Sequence, residues 1–251
     1  MEIFNQLFNL KLTLLTLAQL GRHVENHFIG VNSGIMDQFA VIAGKKDHAL
    51  MLQTQTLSYR YAPMFFENET LLIINTNKKR TLSDSKYNER YQECQEALSL
   101  IKSHYDKPIE YLCDLSLKEF EKVAPFLSPL LFKRVRHLVT ENDRTVASHD
   151  ALKSGDIYGF ARYLNASHQS LKNDYEVTGI ELDTLQDLLL KAGAIGARMT
   201  GAGFGGCVVA LVPKKMKTKI KNEVTKKYKE IIGYEPTFYV VKPSDGTKKV
   251  A

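Results

Sequence analysis

Four short segments hold residue types that can do chemistry. The first is Gly30-Val-Asn-Ser-Gly-Ile-Met-Asp37-Gln. A helix that starts near Ser33 or Gly34 puts Asp37 in its first turn, where the positive end of the helix dipole favours a carboxylate. Such a carboxylate can orient a substrate hydroxyl or accept its proton. Taken alone, it equally suits an acid that simply complements the dipole. The second segment is His23-Val-Glu25-Asn-His27. Its two histidines, at i and i+4, share a helix face, but the order H-x-E-x-H differs from the zinc-protease order, and no third ligand is evident. Glu25 is a candidate magnesium carboxylate, or a solvated glutamate.

The third segment is Thr200-Gly-Ala-Gly-Phe-Gly-Gly206. Four glycines within six positions allow backbone N–H groups to approach and converge on an anion. A strand follows, so the dinucleotide-binding reading fails, and no Gly-Lys-Ser/Thr follows, so the Walker reading fails as well. A flexible hairpin connection is the plain alternative. The fourth is Asn75-Thr-Asn-Lys-Lys-Arg80 followed by Asp84-Ser-Lys-Tyr87-Asn-Glu-Arg90, a polar strand end that leads into a helix.

These segments need elements to position them. Leu7, Leu10, Leu14, Leu17, Gly21, Val24 and Phe28 recur at steps of three and four, which predicts one helix with a complete apolar stripe. A second helix runs through Ile35, Met36, Phe39 and Ile42 to Gly44. Residues 49–53, 57–61 and 70–75 read as strands. Residues 84–105 and 129–153 read as helices, as do 156–172 and 181–191, and Ser116 caps a short helix before Pro125. Residues 197–200 and 207–212 are strands flanking the glycine loop. Residues 214–232 are a helix with Met216, Ile220, Val224, Tyr228 and Ile231 on one face, and 237–241 a closing strand. The order β…αββαβ is that of a ferredoxin-like split βαβ layer, an α+β arrangement with a helical insertion after its first strand.

With 44% hydrophobic and 25% charged residues in 251, the chain has the balance of a globular protein. The formal net charge of +6 raises the question of a nucleic-acid partner. Residues 214–229 hold eight of the 34 Lys+Arg and one of the 28 Asp+Glu, which leaves 26 basic against 27 acidic residues elsewhere. The excess is one helix's solvated face, without a nucleic-acid motif, and no nucleic-acid partner is expected. Cys94, Cys113 and Cys207 form no C-x-x-C pair, which points to a reduced, cytoplasmic protein. The run from Leu7 to Leu20 is broken by Asn9, Lys11 and Gln19. It is too short and polar to span a bilayer, so no membrane role is expected, and the N-terminus lacks a secretory pattern.

Taken together, the four segments resemble the galactokinases of the GHMP sugar and small-molecule kinase family. VENHFIGVNSGIMDQFA is similar to the family's catalytic-aspartate region, and NTNKKRTLSDSKYNERYQEC to its sugar-contact segment. NASHQSLKNDYEVTGIELDTL is similar to a further galactokinase signature, and ARMTGAGFGGCVVALV to the third GHMP motif. The matches are collinear over nearly the whole chain. The resemblance implies ATP-dependent phosphorylation of D-galactose to galactose 1-phosphate with Mg²⁺. It assigns Asp37 as the base for, or orienter of, the sugar C1 hydroxyl and Glu25 as the acid that helps hold Mg²⁺. Tyr87 becomes the galactose contact, and Gly201, Gly203, Gly205 and Gly206 the loop that supports the nucleotide phosphates.

Two family features have no counterpart in the chain: the N-terminal substrate motif and the Gly/Ser-rich loop P-x-G-x-G-L-S-S-S-A. The resemblance therefore implies residues 1–66 as the C-terminal remnant of the nucleotide-binding N-terminal domain and residues 67–251 as the ferredoxin-like C-terminal domain. A chain of this extent is expected to be weakly active or inactive alone. The alternatives are a non-catalytic galactose or nucleotide sensor, or one half of a split kinase whose partner supplies the N-terminal half.

Overall fold

The computed structural model describes residues 2–30, 33–79 and 83–248, without the side chains of 83–85. It forms two compact units. The first takes the chain through Phe65, with Leu152–Gly155 and the residues from Lys242 on. The second takes Phe66–Ala151 and Asp156–Val241.

In the first unit, α1 (Glu2–Leu7) is followed by α2 (Leu14–His23), which continues in wider π-helical turns over Val24–Ile29. Then come α3 (Met36–Ala43) and an antiparallel pair, β1 (His48–Leu52) with β2 (Tyr59–Pro63). The single helix expected from the leucine spacing is not formed. Asn9 and Lys11 adopt φ of 48° and 56°, which end α1, and the Thr13 side chain accepts Thr16 N–H and starts α2 afresh. The stripe is broken accordingly. Leu17 is buried, whereas Leu7, Leu10, Leu14, Val24 and Phe28 are exposed. The core here is small and built on Ala18, Ile35, Phe39 and Ala43.

The segment after Val241 returns to this unit. Gly246 N–H donates to Gly44 O at 2.8 Å and Thr247 N–H to Val41 O at 2.8 Å. A Cβ on Gly246 would lie 2.4 Å from Ile42 O, so only glycine permits this approach.

The second unit runs β3 (Glu69–Asn75), α4 (Ser83–His104), α5 (Leu117–Val123), α6 (Pro129–Ser154), α7 (Ile157–Ser170, then π-helical turns to Tyr175), α8 (Ile180–Lys191), β4 (Gly196–Thr200), β5 (Cys207–Pro213), α9 (Lys217–Ile232) and β6 (Thr237–Val241). The fully antiparallel sheet has the order β4-β5-β3-β6, the split βαβ arrangement read from the sequence. Alternate residues of three strands (Leu72 and Ile74, Ala197 and Met199, Val208, Ala210 and Val212) meet Leu182, Leu185 and Leu189 of α8 and Ile220, Val224 and Tyr228 of α9. Ile231, expected on the buried face of α9, is exposed, and Ile232 packs on the core in its place. A second cluster, including Ile101, Phe120, Val123, Leu131, Val135 and Val139, holds the helical insertion together. Ser116 and Glu119 form a reciprocal capping box at the start of α5.

His137 of α6 lies inside this unit. Its Nδ1 is 2.9 Å from Ser170 Oγ, and its ring stacks on Tyr175. Burial dominates its titration: although Glu141 and Asp174 pull upward, burial together with Arg144 and Arg198 pushes its pKa down to about 4. In the unfolded chain the value returns to about 6.5, so between the two the unfolded state binds one more proton. The stability is therefore fully present above pH ~6.5 and falls by up to about 3 kcal/mol as the pH drops towards 4. Urea midpoints should fall across that window, and His137→Gln should flatten the fall. An equal slope in the variant would remove His137 as its cause.

Candidate functional site

Asp37 lies in the first turn of α3, as the sequence predicts, and is exposed. Among the described residues its carboxylate has no hydrogen bond or ion pair. Glu25 lies in the π-helical turns after α2, where its Oε2 accepts Ser33 Oγ–H at 2.6 Å. Asp37 and Glu25 line one cavity of about 440 Å³, which Leu17, Gly21, Gln38 and Ile42 help to wall. Gln38 Oε1 is buried and has no hydrogen bond among the described residues. Sequence reasoning passed over Gln38; its only signal was adjacency to Asp37. Val31 and Asn32, in the expected helix break before Asp37, lie outside the described residues.

The donor set suits Mg²⁺. Two carboxylates share the cavity, and Mg²⁺ takes one or two such oxygens beside water and phosphate. His23 and His27 stack on one another at 4.1 Å between ring centroids. Among the described residues, no group of three or more His, Cys, Asp or Glu side chains converges as a metal site.

The other candidates belong to the second unit. Register pairs Thr200 with Cys207, so the glycine loop is the six-residue connection of a hairpin. Gly201, Gly203, Gly205 and Gly206 all have positive φ, as does Phe204 at 58°. Gly203 is further constrained, because a Cβ there would sit 2.1 Å from Val177 O. Phe204 N–H donates to that same carbonyl at 2.7 Å, and Thr76 N–H to Gly206 O at 2.8 Å. The strand end named from sequence thus lies beside the loop. Lys78 runs its stem against Gly205 and pairs with Glu181 at 3.0 Å, while Lys86 Nζ stands 5.3 Å from the Phe204 ring centroid.

Tyr87 is half-buried on α4 and near enough to Tyr175 to add to the upward push on that phenol, which burial dominates. Arg80 lies outside the described residues, as do the side chains of Asp84 and Ser85. Cys94, Cys113 and Cys207 form no disulfide with one another, and burial pushes the thiols of Cys94 and Cys113 up. Among the described residues, no helix is long and apolar enough to cross a membrane.

Comparison with known proteins places this geometry in a family. The GHMP kinases N terminal domain profile matches residues 1–45, and the GHMP kinases C terminal profile matches residues 148–230. Over 250 residues the chain is 52% identical to galactokinase of Staphylococcus carnosus and 50% identical to that of Enterococcus faecalis. The structure matches Lactococcus lactis galactokinase complexed with galactose at a TM-score of 0.95 and 45% identity. Each of these matches takes in 99% of this chain and 64% of the other. L. major mevalonate kinase, at 19% identity and a TM-score of 0.57, shares the fold.

The chain belongs to the GHMP kinase family. Within that family its similarity is to galactokinases, and it spans 64% of the length of the relatives it matches.

Proposed function

We propose that this chain serves the ATP-dependent phosphorylation of D-galactose to galactose 1-phosphate, in the cytoplasm. The observation that carries the reading is the shared cavity of Asp37 and Glu25, on a backbone matching a galactose-bound galactokinase at a TM-score of 0.95. The sugar C1 oxygen attacks the γ-phosphorus, the bond from that phosphorus to the bridging oxygen of ADP breaks, and the hydroxyl proton passes to Asp37. Glu25 would hold Mg²⁺, which supplies charge neutralisation on the triphosphate. Tyr87 contacts the sugar, and Gly201, Gly203, Gly205 and Gly206 support the phosphates through backbone N–H groups. Domain roles follow the sequence reading: residues 1–66 belong to the nucleotide-binding domain and 67–251 chiefly to the ferredoxin-like domain.

The 251 residues contain no P-x-G-x-G-L-S-S-S-A segment. The chain by itself should therefore release ADP weakly or not at all in a coupled assay with galactose and Mg-ATP. Clear turnover by the chain alone, lost in Asp37→Asn, would overturn that expectation while upholding the role of Asp37.

A second reading, one half of a split kinase, is favoured by the apolar surface of α1 and α2. Ile3, Phe4, Leu7, Phe8 and Leu14 are each about half exposed or more. In this reading they cover a polypeptide equivalent to the remainder of the relatives' length. Co-expression with the upstream segment of the Staphylococcus carnosus relative should yield a stable complex on gel filtration. Separate elution of the two would count against it.

A further inference from the structure

Met199, next to last in β4, donates its backbone N–H to Nδ1 of His168 at 3.1 Å. A nitrogen that accepts holds no proton, so the imidazole proton is on Nε2, which faces Asp183 Oδ1 at 3.3 Å. His168 is completely buried. Burial raises the Asp183 carboxyl, but hydrogen bonds from His168 and Thr178 and the charge of Lys172 outweigh it and hold the group below its ordinary value.

Thr178 follows Val177, whose carbonyl takes the Phe204 N–H and lies against Gly203. The contacts Met199–His168–Asp183–Thr178, continued by Val177–Phe204, therefore close a ring. One arm holds the strand that enters the glycine loop, and the other holds the loop's middle. Asn165 completes the arrangement along the edge of β4, where it accepts Ala197 N–H at 2.8 Å and donates to Ile195 O at 3.3 Å. Side chains of α7 thus occupy the edge that a further strand would otherwise take.

We propose that His168, oriented by Asp183, is a positioning residue for the glycine loop: it fixes the end of β4 against the start of α8 and so sets where the loop's N–H groups point. The residue touches no substrate and acts through Met199. The purpose assigned to it rests on the proposed phosphate role of the loop.

The test is hydrogen exchange with peptide-level mass readout on the full chain, paired with binding of a fluorescent N-methylanthraniloyl-ADP in the presence of Mg²⁺. His168→Leu removes both contacts. It should speed exchange over residues 199–206 by about tenfold while 208–212 in β5 stay within about twofold. His168→Asn keeps an acceptor near the Nδ1 position and should hold 199–206 within about threefold of the parent. Nucleotide affinity should follow the same order, with about a tenfold loss in the leucine variant.

Should His168→Leu fail to fold, Asp183→Ala, at the more accessible end of the relay, decides the matter by the same regional acceleration. Unchanged exchange over 199–206, or equal acceleration of 208–212, would overturn the proposal. If the loop loosens in His168→Leu while nucleotide affinity stays at the parent value, the clamp stands and the phosphate reading of the loop falls.

Discussion

Replacing Arg134 with leucine is expected to destabilise the second unit by about 3–5 kcal/mol, among the largest effects of any single substitution outside the candidate site. Arg134 is 1% exposed, in the second turn of α6. Its Nε donates to Glu93 Oε2 at 2.6 Å, one terminal nitrogen donates to Glu176 Oε2 at 2.9 Å, and the other donates to Asp174 O. One guanidinium thus ties α4, α6 and the end of the π-helical turns after α7 together. Leucine would fill much of the volume but would leave Glu93 with Arg90 alone, at 2.9 Å, and the Asp174 carbonyl without this donor. The cost arises from that unpaired carbonyl and the half-satisfied carboxylate more than from the lost attraction.

The double variant Arg134→Leu with Glu93→Gln should recover part of the loss, because a neutral amide is easier to leave in that place than a carboxylate. Urea denaturation of the parent, both single variants and the double variant measures the coupling. A loss below about 1 kcal/mol in Arg134→Leu would contradict the role given to this residue.

Arg134 also shows where the sequence stops being legible. In Lys133-Arg-Val-Arg136 it reads as one more solvated cation on a helix. Its partners Glu93 and Glu176 lie about 40 residues away on either side, and only tertiary contact selects it over its neighbours. The first helix fails for a related reason. The leucine spacing was genuine, but Asn9 and Lys11 in left-handed conformation and the Thr13 cap override it locally. The π-helical turns at Val24–Ile29 and Leu171–Tyr175 have no periodic signature at all. By contrast, the strands and helices of the ferredoxin-like layer announce themselves, because alternation in β3 and β5 and the i, i+4 spacing of Ile220, Val224 and Tyr228 are demanded by one shared core.

The candidate site was legible in a different sense. Spacing alone left Asp37 and Glu25 with ordinary explanations, and only collinear resemblance singled them out. The cavity that both residues line, and the buried Gln38 oxygen beside them, could not be read from the chain. The glycine loop lies between. Four glycines signal a special backbone, but that Gly203 is fixed by the Val177 carbonyl is a fact of packing.

The second large effect concerns Asp37. Its carboxylate stands in the first turn of α3 with no partner among the described residues, and in the proposed reaction it takes the hydroxyl proton. Asparagine keeps the shape and one hydrogen-bond acceptor but cannot take the proton. A general base contributes about a hundredfold to ten-thousandfold, and the loss on Asp37→Asn should fall in that range, with little change in fold or in galactose affinity.

The most direct measurement joins residues 1–251 behind the upstream segment of the Staphylococcus carnosus relative, 52% identical over the shared region, and follows ADP release with galactose and Mg-ATP. The account predicts galactose-dependent turnover in the joined chain and a fall of at least about a hundredfold in its Asp37→Asn form. A folded joined chain that releases no ADP with galactose, or an asparagine variant that turns over like its parent, would contradict it.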